Sequence, residues 1–340
     1  MMATISDVAK LAGVSPSTVS RTCSNHPSIS QRTKERVRKA MAELGYEPNF
    51  QATSLATQNS KTFGILLPSS DYDVYQKSFY LEAIRGIGLF CNQKQYMNTI
   101  ITGQNDEEIL QTVQSMVKGG RVEGFILLYS RHDDPVIKYL NSEGILYVLI
   151  GKATKDLSDA IYVDNDNIQA SRELTNLLIS KGHKKIGYIS SDSEYNFSQD
   201  RKSGYMLALT ENSIPMNSQY IVECSGIPDY NNDKIKELLT LEDRPTAIVT
   251  SDDVLATLLI STAYTLGLKV PDDLSVASFN DSLLSHLCHP QLTSVDINAL
   301  QLGIEAASQI INHIENPDLL ATKIIVPHRI IERESCSSPK

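Results

Sequence analysis

Only three residues separate the last apolar position of one helical stretch, Ala12, from the first position of the next, Pro16, and no other feature constrains the start of the chain as tightly. Thr4-Ile5-Ser6-Asp7 places a hydroxyl three residues ahead of a carboxylate, the spacing of a capping box, and Ile5, Val8, Ala9 and Ala12 then recur at helical period. Gly13 supplies a position without a Cβ, Ser15 is a good N-cap, and Pro16 suits the first helical position, where a missing N–H costs nothing. Two short helices joined by so tight a glycine turn cannot run antiparallel, and the crossing forced on them is that of a helix-turn-helix. After a loop containing Asn25, His26 and Pro27, Ser30 caps a third helix with the apolar seam Val37, Ala40, Met41 and Leu44, closed by Gly45. The opening segment is therefore expected to be three helices around one small core.

The net charge of -9 looks wrong for a nucleic-acid binder until it is divided along the chain. Residues 1–60 carry seven Lys and Arg against four Asp and Glu, a net +3, whereas the remaining residues carry 24 against 36, a net -12. A cationic head on an anionic body confines DNA binding to one end. In a helix-turn-helix the N-terminal end of the second helix meets base edges, which assigns Ser17 and Arg21 to bases and Ser15, Thr18 and Ser20 to phosphates. Thr4, Pro16 and Asn25 complete the candidate DNA-facing set.

The run T-I-S-D-V-A-x-x-A-G-V-S-x-x-T-V-S-R, followed by M-A-E-L-G-Y-x-P-N, resembles the head of the lac repressor and galactose repressor family. The likeness continues through R-x-E-G-F-I-L-L, Y-V-D-N-D, L-x-x-x-G-H-K-K-I-G-Y-I, D-R-x-x-G-Y-x-x-A-L and V-P-D-D-L-S-V-A-S-F-N-D, nearly the whole chain. Where many relatives read S-R-V-L-N, this chain has Ser20-Arg21-Thr22-Cys23-Ser24. The polar stretch after Pro48 reads by composition as a linker of weak helical propensity. The resemblance implies that Asn49 to Ala56 forms a short helix on operator DNA, with Ala52 and Leu55 pressed into the minor groove, Leu55 as the wedge. The expected division is a DNA-binding domain at 1–48, a hinge at 49–61, an effector-binding and dimerisation domain at 62–335 and a tail at 336–340.

From Phe63 onward short apolar strands alternate with amphipathic helices, the pattern of parallel sheets covered on both faces. Strands are readable at 63–68, 98–102, 124–129, 146–151, 185–190, 219–223, 247–251 and 275–279. Helical stripes such as Leu174, Leu177 and Leu178, or Leu255, Leu258, Leu259, Thr262 and Leu266, lie between them. So many strands fit two doubly wound α/β lobes better than one sheet. The resemblance implies a two-lobed fold like the type I periplasmic binding proteins, crossed by the chain three times. Ligands of open α/β sheets sit beyond the C-terminal strand ends, where Ser69, Ser190, Asp252 and Asn280 fall. Matching the family's motifs by position makes Phe79 and Tyr80 an effector-facing aromatic pair and Arg201 a guanidinium fork. It also places Asp252 and Asn280 at ligand contacts, each an Asp/Asn exchange relative to many relatives. Tyr195 and Phe197 are further candidate stackers, in a chain without tryptophan.

No run approaches the roughly 18 apolar residues of a membrane span, and MMATISDVAK lacks the apolar core of a secretory signal, so a cytoplasmic protein is expected. Five separated cysteines without a C-x-x-C pair suggest reduced thiols, and His286, Cys288 and His289 do not fit zinc spacing, so no metal or other cofactor is expected. Nucleotide, acyl-transfer and metalloprotease motifs do not occur, which argues against an enzyme. The resulting expectation is a homodimeric repressor on a near-palindromic double-stranded operator, controlled by a small-molecule effector of the sugar class. S-F-N-D-S and D-S-E-Y-N-F resemble maltose-operon repressors of Gram-positive bacteria. A catabolite-control regulator with a phosphoprotein corepressor, a purine-type regulator and a sugar receptor without DNA function remain as alternatives.

Overall fold

The computed structural model describes residues 3–47, 60–69, 78–153, 159–190, 194–224 and 233–340. Two compact units emerge, residues 1–61 and residues 62–340.

In the first unit, α1 (Ile5–Ala12), α2 (Pro16–Cys23) and α3 (Gln31–Leu44) begin at the hydroxyl caps Thr4, Ser15 and Ser30. The capping box is complete: the Asp7 amide donates to Thr4 Oγ1 at 3.4 Å while the Thr4 amide donates to Asp7 Oδ2 at 2.9 Å. Gly13 adopts φ 61°, the left-handed geometry that ends α1 and turns the chain into α2 within three residues. Val8, Ala9, Ala12, Val19, Val37 and Ala40 form the buried core. Leu44 departs from the expected seam and is exposed; Gly45 folds the chain back so that the Tyr46 amide reaches the Met41 carbonyl, and Tyr46 packs on the core in its stead.

The second unit contains two six-stranded sheets. The first has strands β1 (Thr62–Leu66), β2 (Met97–Ile101), β3 (Phe125–Leu127), β4 (Tyr147–Ile150), β5 (Ile161–Asp164) and β11 (Lys323–Ile325), in the spatial order β11-β5-β4-β3-β1-β2. The second has β6 (Ile186–Ser190), β7 (Ile221–Glu223), β8 (Ala247–Thr250), β9 (Ser275–Phe279), β10 (Thr293–Asp296) and β12 (Arg329–Ile331), in the order β12-β10-β9-β8-β6-β7. Every pairing is parallel except β10 with β12. The chain moves between sheets after β5, after β10 and after β11, which gives the three crossings the resemblance implied. Strands β5, β10, β11 and β12 were not readable in the sequence. All four are only three or four residues long, and β10 and the end of β5 are rich in polar residues, so pairing with a neighbour rather than apolar content makes them strands.

Interleaved helices are α4 (Ser78–Lys94), α5 (Asp106–Lys118), α6 (Pro135–Ser142), α7 (Asn167–Ser180), α8 (Asn196–Glu211), α9 (Asp233–Leu239), α10 (Asp253–Thr265), α11 (Leu283–Leu287) and α12 (Ala299–Glu315). Helices α4 and α12 lie backbone against backbone: a Cβ on Gly86 would sit 2.1 Å from the Leu300 carbonyl oxygen, and one on Gly303 would sit 2.0 Å from that of Ala83. Neither obstacle is a side chain that can swing away. Gly303→Ala is therefore expected to destabilise the body by about 3 kcal/mol, the upper end of the overpacking range, measured as a shift of the urea midpoint. An unchanged midpoint would mean the helices part without cost.

Residues 336–340, set apart as a tail in the sequence, are instead tied to the second sheet. The Val276 amide donates to the Ser335 carbonyl at 2.9 Å and the Ser337 amide to Ser275 Oγ at 3.0 Å. Buried His183 adds a bond from Nε2 to the Ser337 carbonyl at 2.8 Å, leaving Nδ1 to accept from the Thr246 hydroxyl. With both ring nitrogens occupied, this histidine fastens the C-terminus to β9.

Candidate functional site

On the head, Val19 and Thr22 turn inward and the exposed face of α2 carries Ser17, Ser20 and Arg21. The Arg21 guanidinium forms no ion pair or hydrogen bond with another described residue, and the exposed side chain keeps its five donors available. Ser15 Oγ is committed locally, accepting from the Thr18 amide at 3.2 Å and lying 2.8 Å from Ser17 Oγ and 2.9 Å from Thr18 Oγ1. Thr4 is similarly committed in the capping box, and Pro16 is the exposed first residue of α2. Asn25, with φ 53°, is a structural hub: its Oδ1 and carbonyl accept from buried Lys34 Nζ at 2.9 and 3.0 Å, and Arg38 reaches the same Oδ1 at 3.4 Å. Asn49, Ala52 and Leu55 lie outside the described residues.

In the second unit a cleft, with about 610 Å³ of empty space once the solvent at its open mouth is counted, lies beyond the C-terminal strand ends of both sheets. Six of the nine expected effector contacts line it: Phe79, Tyr80, Phe197, Arg201, Asp252 and Asn280. Ser69 instead bonds to Asp106, and Ser190 is buried at the end of β6, where its carbonyl accepts from the Cys224 amide. Tyr195 is also absent from the lining; it stacks on Phe197 with ring centres 5.9 Å apart and forms a bridge with Arg131. Ser130, Gly151, Asp164, Asn165 and Asn167 line the cleft without having been singled out, although Asp164 and Asn165 stand in the Y-V-D-N-D motif. Reading Ile161–Asp164 as a strand would have placed both at a ligand-facing end.

Arg201 is the electrostatic centre of the cleft. Only 4% exposed, its guanidinium lies 4.2 Å from the Phe279 ring centre and 5.1 Å from that of Phe197. Nε donates to Asn167 Oδ1 at 2.8 Å and Nη1 to the Ser251 carbonyl at 2.6 Å. Burial lowers its pKa to about 10, so it remains a cation at neutral pH. A pinned planar fork beside aromatic rings suits neighbouring hydroxyl oxygens, while Asp164, Asp252 and Asn280 supply acceptors for hydroxyl hydrogens. Asp252 also caps α10, its Oδ1 accepting from the Leu255 amide at 3.0 Å.

Burial pushes the Asp164 carboxyl up to about 7, with hydrogen bonds from backbone amides opposing that rise. In an unfolded chain the group would ionise near 4, so the folded form holds the proton more tightly. Its contribution to stability is thus complete below about pH 4 and is lost as the pH climbs to about 7. Asparagine removes this titration. The melting temperature of Asp164→Asn relative to the unaltered chain is expected to rise between pH 5 and pH 8, and a constant difference would contradict the elevated pKa.

The lobes meet over the cleft and at its hinge. Asn196 donates from its backbone to the Ser130 carbonyl at 3.1 Å, and from Nδ2 to Ser130 Oγ at 2.9 Å and the Lys152 carbonyl at 2.8 Å. At the crossovers, Asn165 Nδ2 donates to the carbonyls of Ile297 and Val326 at 3.0 and 2.9 Å, so a single amide joins all three crossover segments. Among the described residues, no group of three or more His, Cys, Asp or Glu is arranged to hold a metal, and no helix is long and apolar enough to cross a membrane.

Residues 4–49 match the family described as bacterial regulatory proteins, lacI family, and residues 175–336 match the periplasmic binding protein-like domain. The chain is 38% identical over 337 residues to the HTH-type transcriptional regulator MalR of Staphylococcus xylosus, covering 99% of both chains. A putative transcriptional regulator LacI from Bacillus cereus subsp. cytotoxis superposes with a TM-score of 0.77 at 38% identity, over 82% of this chain and 98% of that one. A complex of the transcriptional regulator CelR with cellobiose superposes with a TM-score of 0.76 at 26% identity, over 98% and 99%.

Proposed function

The chain belongs to the lacI family of bacterial regulatory proteins and is a DNA-binding transcription regulator, and from that premise we propose that it represses a maltose or maltodextrin operon and is controlled by a sugar in the cleft. The observation that carries the sugar reading is Arg201, a buried cation held by aromatic rings and flanked by carboxylate and amide acceptors. Such a set binds vicinal hydroxyls from both sides. The 38% identity with the regulator MalR over nearly the full length, and the likeness at 29% identity and a TM-score of 0.75 to a structure described as a probable maltose operon transcriptional repressor malR, support the operon.

The repressor works as a homodimer, because one head covers one half-site and two heads together read a near-palindromic operator. Support comes from apolar side chains left at the surface of the body: Leu81 and Leu89 on α4, Met97 and Ile100 on the edge strand β2, and Tyr264, Leu283 and Leu287 on the other lobe. Sugar and operator oppose one another through the hinge at 49–61, so each weakens the other's binding by the same factor. The experiment is selection of bound duplexes from a random pool, repeated with maltodextrins, hexoses and purines. A palindrome enriched without ligand and lost with maltose or maltotriose is the expected result. Failure to enrich any palindrome rejects the repressor, and retention altered only by purines rejects the sugar.

A further inference from the structure

Asp253 is 1% exposed and does not line the cleft, yet its carboxylate gathers four donors. Ser278 Oγ and Ser294 Oγ donate to Oδ1, the latter at 2.9 Å; the Ser282 amide and Ser285 Oγ donate to Oδ2, each at 2.7 Å. We propose that Asp253 is a positioning residue for effector recognition, whose carboxylate holds the turn between β9 and α11 in the shape that presents Asn280 to the cleft.

That turn is unusual in its backbone. Asn280 has φ 95° and Asp281 φ 45°, two successive residues other than glycine in left-handed geometry. Such conformations persist only where the surroundings over-determine them. Here every amide of the turn is fixed: that of Asn280 by the Val295 carbonyl at 2.9 Å, that of Asp281 by Ser294 Oγ at 3.1 Å, and that of Ser282 by Asp253 itself. Ser294 has one hydroxyl hydrogen. By drawing it, Asp253 turns an oxygen lone pair toward the Asp281 amide, so the carboxylate governs two of the three anchors. Because Ser278 lies two residues before Asn280 and Ser282 two after it, the grip spans the turn from both sides. Asp252, the residue before Asp253, lines the same cleft, which ties two polar contacts to one rigid frame.

The chemistry distinguishes two substitutions. Asparagine could accept the Ser282 amide through its oxygen and donate through its nitrogen to Ser278 and Ser294, whose hydroxyls can rotate. Alanine abandons every donor.

The test is a double-mutant cycle on the full-length protein, read by calorimetric titration with maltose and with maltotriose. Asp253→Ala is expected to weaken sugar binding about 10- to 100-fold, but less than about twofold further in an Asn280→Ala background, because coupled residues are not additive. Asp253→Asn is expected to stay within about threefold of the unaltered protein, a rescue that a generally weakened fold would not give. Equal losses in both backgrounds, or an unaffected Asp253→Ala, overturn the proposal. Should Asp253→Ala not fold, Ser294→Ala removes one anchor alone, with an expected loss of about 3- to 10-fold and the same non-additivity. The proposal rests on the cleft being the sugar site, so an unaltered protein that binds neither sugar refutes that reading separately. Crystal structures of the unaltered and Ser294→Ala proteins then decide: a displaced Asn280 supports the proposal, and an Asn280 that keeps its φ overturns it.

Discussion

Arg201→Lys is expected to fold, to bind its operator as tightly as the unaltered protein, and to stop responding to sugar. Lysine keeps the charge but replaces a five-donor plane with a single ammonium on a flexible stem. The bonds to Asn167 Oδ1 and the Ser251 carbonyl leave from different guanidinium nitrogens, and one ammonium cannot reproduce both directions together with contacts to a ligand. Stacking against Phe197 and Phe279 is also lost, and with it the means of holding the cation still. Disrupting a buried, hydrogen-bonded charged contact costs about 2–5 kcal/mol, which corresponds to a roughly 30- to 4,000-fold weaker effector dissociation constant. Calorimetry with maltose measures the affinity, and gel shifts with and without sugar measure the response. A sugar affinity within threefold of the unaltered protein would remove Arg201 from the recognition chemistry.

The head was legible almost to the residue because its signals are local. Thr4, Ser15 and Ser30 cap helices whatever surrounds them, and Gly13 and Gly45 end helices by backbone geometry alone. The body was legible as a class, because buried parallel strands carry their own apolar signature. Its short members were not. Strands β5 and β10 owe their existence to neighbours in the sheet, and with β5 unread, Asp164 and Asn165 had no strand end to belong to. The cleft residue Ser130 follows, and Gly151 ends, a strand that was read, but nothing in their sequence reveals that the opposite lobe's Asn196 closes over Ser130. Ser69, Ser190 and Tyr195 stand apart from the cavity lining: Ser69 bonds to Asp106, Ser190 is buried with its carbonyl on the Cys224 amide, and Tyr195, at the start of α8, stacks on Phe197. In the head, the Asn25 side-chain oxygen accepts from the buried Lys34 ammonium, a contact between loop and helix that the local sequence does not reveal.

Arg21→Ala separates reading from mere adhesion. The side chain is exposed on α2 and makes no ion pair among the described residues, so its removal leaves the three-helix core of Val8, Val19 and Val37 untouched. A bidentate contact to guanine contributes about 1–3 kcal/mol of discrimination, and a dimer makes it twice, so the preferred operator is expected to lose about 2–6 kcal/mol. Random duplexes lose little, because adhesion to them rests on phosphate contacts from other residues. Salt provides an independent check. A phosphate-binding arginine would weaken all sequences alike and lower the slope of log affinity against log salt by about 1 per contact, whereas a base reader leaves that slope nearly unchanged while flattening preference at its own base pair. Binding isotherms on the selected palindrome and on scrambled duplexes, each at several salt concentrations, distinguish the two. Parallel losses on both duplexes, accompanied by a shallower slope, would reassign Arg21 to the backbone and leave base recognition to Ser17 and its neighbours.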